Sequence, residues 1–159
     1  MTLYLDLPKY LREWFINEFG GSEPVVLPHG SQESDILEVF LTTPPKNAAP
    51  DLPRPGAVAI KIPVFRGKDP AYYHHLPARA RRLLMKNIYT RFRVQMWTEM
   101  HTLKNIDIPI TDLVYAWMEK HGIDDDPTSW ETIRQMYFRK RKLYRKLSQE
   151  NARKNSKNI

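Results

Sequence analysis

The chain of 159 residues contains no cysteine. This absence excludes disulfides, thiol catalysis and cysteine-based zinc sites, and it is typical of the reducing cytoplasm, where we expect the protein to reside. No apolar run approaches the roughly 18 residues that a membrane span needs, and the first residues lack the pattern of a secretory signal. The sequence therefore predicts a soluble protein that does not insert into a membrane.

Motifs of catalysis and cofactor binding are also missing. With only six glycines, the chain has no GxGxxG, Walker A or GxSxG segment. The five histidines show no HExxH spacing, and the acidic run Asp124–Asp126 lacks the alternating ligands and central glycine of a calcium loop. We therefore expect no catalytic residues, no metal and no cofactor, and interpret the protein as not an enzyme.

Positive charge is present in excess and is concentrated in two stretches. The formal net charge is +7, but residues 77–104 hold seven basic residues and one acidic residue, and residues 128–159 hold ten and two. Residues 105–127 between them are acidic, and the front of the chain is close to neutral. Concentrated basic charge of this kind points to a polyanionic partner for the back half of the chain.

The front of the chain, residues 1–68, is predicted to form a small α+β unit. Short strands are expected at 3–7, 25–27 and 57–65, where Val58, Ile60, Ile62 and Val64 alternate on one face. Helices are expected over residues 8–19 and from a Ser31 cap to about residue 41. Five prolines in residues 44–56 predict an extended loop.

The back of the chain, residues 69–148, is predicted to be an all-α domain, which makes the whole chain α+β. Helical patterns cover about 77–103, a segment that begins at a Thr111 cap and ends before Gly122, and 128–147. Thr128 and Glu131 have the spacing of a capping box. Beyond Leu147 the apolar pattern stops, which predicts a basic, disordered tail over 149–159.

This order of helices, with a basic last helix, resembles the tri-helical helix-turn-helix domains of the homeodomain-like and Trp-repressor-like kinds. The resemblance covers residues 77–148, and the segments LPKYLREWF, RFRVQMW and RKRKLYR also resemble parts of small uncharacterised bacterial proteins. It implies a DNA-binding protein, a transcriptional regulator or a mobile-element accessory factor, with helix 128–147 in the major groove. The candidates for base contact are Thr132, Gln135, Arg139 and Lys142. The candidates for phosphate contact are Arg134, Arg141, Arg145, Lys146, Arg79, Arg82, Lys86 and Arg93.

Other interpretations of the same pattern stay open. The basic face of helix 128–147 would also suit a solvated helix that only docks on a core. An RNA-binding module would share the charge and would stack bases on Tyr137, Phe138 or Tyr144. A protein-interaction adaptor would use the loop 44–56 and the edge of strand 57–65, and that edge is also the expected surface for a homodimer.

Overall fold

The computed structural model of the chain describes residues 1–103 and 106–158. These residues form five helices and a two-stranded antiparallel sheet, which is a mixed α+β architecture. The elements, in chain order, are β1 (Thr2–Asp6), α1 (Lys9–Glu18), α2 (Gln32–Phe40), β2 (Ala57–Lys61), α3 (Ala78–Thr102), α4 (Ile110–Lys120) and α5 (Pro127–Lys157). Among the described residues, none of the helices combines the length and apolarity that crossing a bilayer requires.

The chain divides into two compact units, and the division lies inside α3. Unit 1 contains Met1–Phe92 together with His121–Ile123, and unit 2 contains Arg93–Lys120 with Asp124–Ile159. The sequence had suggested a boundary between residues 68 and 69. Ala78 to Phe92 is grouped with the front of the chain, where Phe92 contacts Tyr10 and Trp14 of α1.

Unit 1 has its core between the sheet and the first helices. Leu3 and Leu5 of β1 and Val58 and Ile60 of β2 are buried, as the alternating pattern predicted. The alternation ends early, because β2 stops at Lys61 and Val64 is 85% exposed. Trp14 of α1 packs edge-on against Phe92, with 5.4 Å between ring centroids.

The middle of each sheet edge is covered, at Tyr4 and Ala59, which face each other across the two strands. On the β1 side the Tyr4 N–H donates to Asp51 Oδ2 at 2.9 Å, and Arg81 Nη1 donates to the Tyr4 carbonyl at 2.8 Å. On the β2 side the Ala59 N–H donates to Glu23 Oε1, and the Ala59 carbonyl accepts from the Val25 N–H. The prediction that strand 57–65 offers an open edge for pairing is therefore wrong, because residues 23–25 already occupy it.

The loop over residues 44–56 forms no helix or strand, as five prolines predicted, but Arg54 and Asp51 fix its end to the sheet. Arg54 Nη2 donates to Asp6 Oδ2 at 2.7 Å, and Arg54 Nη1 donates to Asp51 Oδ1 at 3.0 Å. Arg81 also pairs with Asp51, at 3.1 Å. Two guanidinium groups thus hold two carboxylates at the β1 edge.

Unit 2 is built around the buried residues Val114, Met118, Ile133 and Tyr137. The helix α4 begins at Ile110, where the Asp112 and Leu113 N–H groups donate to the Pro109 carbonyl. Thr111 therefore lies inside the first turn, and the prediction that it caps the helix is wrong. Gly122 has a φ of +69°, which fits its predicted place just after the end of α4.

Candidate nucleic-acid interface

The basic helix α5 begins two residues earlier than a Thr128 cap would allow. Asp126 is the N-cap, and its Oδ2 accepts from the Ser129 N–H at 3.2 Å and from Ser129 Oγ at 3.1 Å. Pro127 occupies the first turn, where the fixed φ of proline suits a helix and its missing N–H is not needed. The capping box of Thr128 and Glu131 is therefore not formed, and Glu131 contacts α5 residues further along instead.

The same helix continues to Lys157, ten residues past the expected end at Leu147. It therefore covers most of the segment 149–159 that the sequence predicted to be a disordered tail. No glycine or proline follows Pro127, and the residues after Leu147 include the good helix formers Lys, Arg, Gln, Glu and Ala. At about 1.5 Å per residue, α5 is about 46 Å long.

One face of α5 belongs to the core of unit 2. Ile133 and Tyr137 are almost completely buried, and Trp130 stacks on Tyr115 of α4 with 5.3 Å between ring centroids. The buried face fixes the rotation of the helix about its axis. It therefore also decides which side chains point to solvent on the other face.

Near the start of α5, the predicted contact residues already have partners within the helix. Thr132 Oγ1 donates to the Thr128 carbonyl at 2.8 Å, and Gln135 Nε2 donates to Glu131 Oε1 at 3.0 Å. Arg134 Nε donates to Glu131 Oε2 at 3.3 Å, and its guanidinium lies over the rings of Trp130 and Phe138. With Asp124–Asp126 just upstream, this end of the helix is not strongly positive.

Further along, five exposed basic residues form a row that we call the basic ridge. Its members are Arg139, Lys142, Lys146, Arg153 and Lys157. On a wheel of 3.6 residues per turn they lie within about 60° of one another, on the side opposite Ile133. From first to last they extend over about 27 Å. Residues 139–157 contain nine basic residues and only one acidic residue, Glu150.

Two members of the basic ridge, Arg153 and Lys157, were not among the predicted contacts, because the sequence placed them in a disordered tail. Their spacing from Lys146 continues the helical period, and that period was the available signal. The predicted residues Arg139, Lys142 and Lys146 do lie together on this face. Arg141 is half-buried and Arg145 is exposed, and both lie to one side of the ridge.

The predicted phosphate contacts on α3 are divided between the two units. Arg79, Arg82 and Lys86 are exposed and belong to unit 1, whereas Arg93 is exposed and belongs to unit 2. Each of the first three adds positive charge to the surface of unit 1. The basic ridge is complete without them, because all its members come from α5.

An aromatic cluster flanks the other side of α5. Trp97 and His101 of α3 stack with 4.5 Å between ring centroids, and Tyr144 meets them at 5.7 and 4.7 Å. Tyr137 is only 1% exposed, so it cannot stack on a base, whereas Tyr144 is 44% exposed. Of the three stacking residues considered for RNA, Phe138 is half-buried and contacts Arg134.

Across residues 1–103 and 106–158, no three His, Asp or Glu side chains come together in a way that could hold a metal ion. Comparison of the chain with models of protein families, with curated proteins and with solved structures finds no match.

Proposed function

We propose that this protein binds double-stranded DNA through the basic ridge of α5, as a transcriptional regulator or a mobile-element accessory factor. The observation that carries the proposal is the alignment of Arg139, Lys142, Lys146, Arg153 and Lys157 on one exposed face of a single helix. A solvated helix that only docks on a core needs no such alignment. Cations one or two helical turns apart along one face, with Glu150 the one acidic residue between them, can contact several phosphates of a duplex at once.

The electrostatics support a contact with phosphate. Each lysine or arginine that neutralises a phosphate releases condensed counterions, which makes affinity fall steeply with salt. Residues 139–157 contain nine basic residues and a single acidic residue, so the positive charge of this part of α5 is not neutralised within the helix. The aspartates before α5 would instead repel phosphate, which orients the helix with its C-terminal half towards the DNA.

The shape of the ridge favours DNA over RNA. The major groove of B-form DNA is about 12 Å wide and admits an α-helix, whereas the major groove of A-form RNA is deep and too narrow for side chains to read. An α-helix with cations on one face fits the first groove. In this arrangement Arg139 and Lys142 are the best placed to reach base edges, since Thr132 and Gln135 would first have to give up hydrogen bonds within α5.

The proposal is tested by measuring binding to random-sequence duplex DNA by fluorescence anisotropy between about 50 and 200 mM salt. Wild type is compared with a ridge variant in which Arg139, Lys142 and Lys146 are changed to glutamine. The matched control changes Lys46, Lys61 and Arg66, three exposed cations of unit 1, to glutamine. Both variants have the same net charge, so a difference between them reports position and not total charge.

We expect the ridge variant to lose about tenfold or more in affinity and to show a flatter salt dependence, while the control stays close to wild type. Equal losses of affinity in both variants would show that DNA is attracted only by the total positive charge of the protein, which would contradict the proposal.

The second candidate function is an RNA-binding module, which the exposed ring of Tyr144 favours. Competition with single strands and with double-stranded RNA tests it. Preference for single-stranded RNA, lost in Tyr144→Ala, would select that candidate instead.

A further inference from the structure

The C-terminal half of α5 also carries exposed apolar side chains. Leu143, Tyr144 and Leu147 are 49%, 44% and 50% exposed. On the helical wheel they lie on the same side as Ile133, so they continue the buried face of α5 along the helix. We call these three residues the apolar stripe. Helical side chains one turn apart are neighbours, and the stripe therefore forms one continuous patch.

The apolar stripe is enlarged by its neighbours on α3. The ring of Tyr144 lies 4.7 Å from His101 and 5.7 Å from Trp97, measured between centroids, and both α3 side chains are only half-buried. Two leucines and a cluster of three rings thus form adjoining apolar surface beside the otherwise polar C-terminal half of α5. Contiguous apolar surface of this kind marks interaction sites in proteins.

The charges around the stripe restrict what can cover it. Lys140 and Lys154 lie within or beside the stripe, and Arg141 and Arg139 lie on opposite sides of it. A second copy of α5 would bring the same dense positive charge against this one, which disfavours a homodimer through this face. Nucleic acid would satisfy the cations but would leave Leu143 and Leu147 against phosphates and sugars.

We propose that the apolar stripe binds an amphipathic helix of another protein, with leucine-like side chains on one face and glutamates or aspartates on either side. Such a helix buries Leu143, Tyr144 and Leu147, while its carboxylates pair with the flanking lysines and arginines. The basic ridge borders the stripe along one edge, because Arg139 lies one helical turn before Leu143, so the two proposed contacts use adjoining faces of α5. The inference goes beyond the proposed function and does not depend on it.

The test uses two synthetic peptides of identical composition on the full-length protein. In the first, leucines recur at i, i+3, i+4 and i+7 with glutamates on both flanks. In the second, the same residues are permuted so that the leucines are spread around the whole circumference of the helix and form no apolar face. Binding is measured by anisotropy with wild type, with Leu143→Gln/Leu147→Gln, and with Leu52→Gln/Leu83→Gln, which removes two other exposed leucines.

We expect the amphipathic peptide to bind wild type and the Leu52/Leu83 control alike, and to bind the stripe variant about tenfold more weakly. The stripe variant should keep wild-type helicity by circular dichroism, because both leucines are half exposed and glutamine is a good helix former.

The proposal would be overturned if the permuted peptide bound wild type as tightly as the amphipathic peptide does, or if the stripe variant bound the amphipathic peptide as tightly as wild type does. So would a wild-type dimer in light scattering that the stripe variant lacks, since the stripe would then be covered by a second copy. The proposal would also be overturned by binding of single-stranded RNA that the stripe variant alone loses.

Discussion

Glu33 and Arg91 form a bidentate ion pair in unit 1, with 2.7 Å between Nε and Oε1 and 2.9 Å between Nη2 and Oε2. The Glu33 side chain is completely buried, and Asn87 donates a further hydrogen bond to Oε1 at 2.9 Å. Burying a carboxylate is unfavourable unless its charge and its oxygen atoms are matched. The pair therefore holds α2 against α3 at one orientation.

Replacing Arg91 with alanine should lower the free energy of unfolding by about 3 kcal/mol, because it leaves a buried carboxylate without its counter-charge. This is the lower end of what breaking a buried ion pair costs, since 37% of the Arg91 side chain is already exposed. Urea unfolding followed by circular dichroism measures the change. Arg82→Ala, on the exposed face of the same helix, is the control and should stay within about 0.5 kcal/mol of wild type. Similar losses in the two variants would contradict the role of the pair.

Asp51 should make unit 1 sensitive to acid. Burial alone would raise the pKa of Asp51, but hydrogen bonds from the Tyr4 N–H, Arg81 and Arg54 outweigh it and lower the pKa below 3.8. A lowered pKa in the folded state gives stability that is complete well above the unfolded value and is lost as the pH falls below about 4. Asp51→Asn should therefore unfold more easily at pH 7 and show a shallower loss of stability between about pH 4 and pH 2. Parallel acid unfolding curves for wild type and variant would refute this.

Tyr10 should make the same unit sensitive to alkali. Burial, with a smaller contribution from Tyr89, raises the pKa of Tyr10 from 10.0 to about 12. A raised pKa in the folded state gives stability that is present below the unfolded value and is lost as the pH rises towards the folded value. We therefore expect the Tyr10 contribution to disappear between pH 10 and about 12. Tyr10→Phe should keep the ring packing on Phe92 and remove this part of the pH dependence in urea unfolding.

Asp126 and Thr128, on either side of Pro127, should differ in their contribution to stability, because only Asp126 caps α5. Asp126→Ala should destabilise the protein by about 1 kcal/mol, because it removes the acceptor of the Ser129 N–H. Thr128→Ala should change stability by less than about 0.5 kcal/mol, because Thr128 is exposed and does not cap the helix. Thermal unfolding of the two variants measures both effects. A larger loss of stability in Thr128→Ala than in Asp126→Ala would indicate that the capping box of Thr128 and Glu131 forms after all.

Single substitutions in the basic ridge should separate phosphate contacts from base contacts. Lys146→Gln should weaken binding to every duplex sequence alike and lower the slope of log affinity against log salt by about 1. Arg139→Gln should lower affinity for a selected site more than for random DNA, if its guanidinium reaches a base edge. Salt titrations with the selected site and with random duplex provide the comparison. Identical behaviour of the two variants would make Arg139 a phosphate contact only.

The elements with a clear apolar period were predictable from the sequence, and the contacts between distant segments were not. The positions of α3 and α4 followed from buried positions at helical spacing and from Gly122. The start of α5 was misplaced because the spacing of Thr128 and Glu131 predicted a capping box, whereas Pro127 occupies the first turn and Asp126 caps the helix. The sequence predicted an extended segment at 25–27 but not its partner, because the contact of Glu23 and Val25 with β2 joins segments far apart in the chain.

The basic ridge was predictable in part for a related reason. Arg139, Lys142 and Lys146 were recognised because they oppose an apolar face that marks the helix. Arg153 and Lys157 were missed because the residues beside them are polar and give no amphipathic period. The residues after Leu147 stay helical because they have good helix propensity and include no glycine or proline. The basic ridge therefore extends beyond the amphipathic pattern from which it was predicted.

The covered sheet edges of unit 1 bear on how the protein behaves at high concentration. An exposed strand with open backbone groups templates pairing between chains, and that is a common route to fibrils. Here the outward backbone groups of both Tyr4 and Ala59 are already bonded within the chain. At these two positions the folded protein should resist strand pairing with another chain for as long as Asp51, Arg81 and Glu23 stay in place.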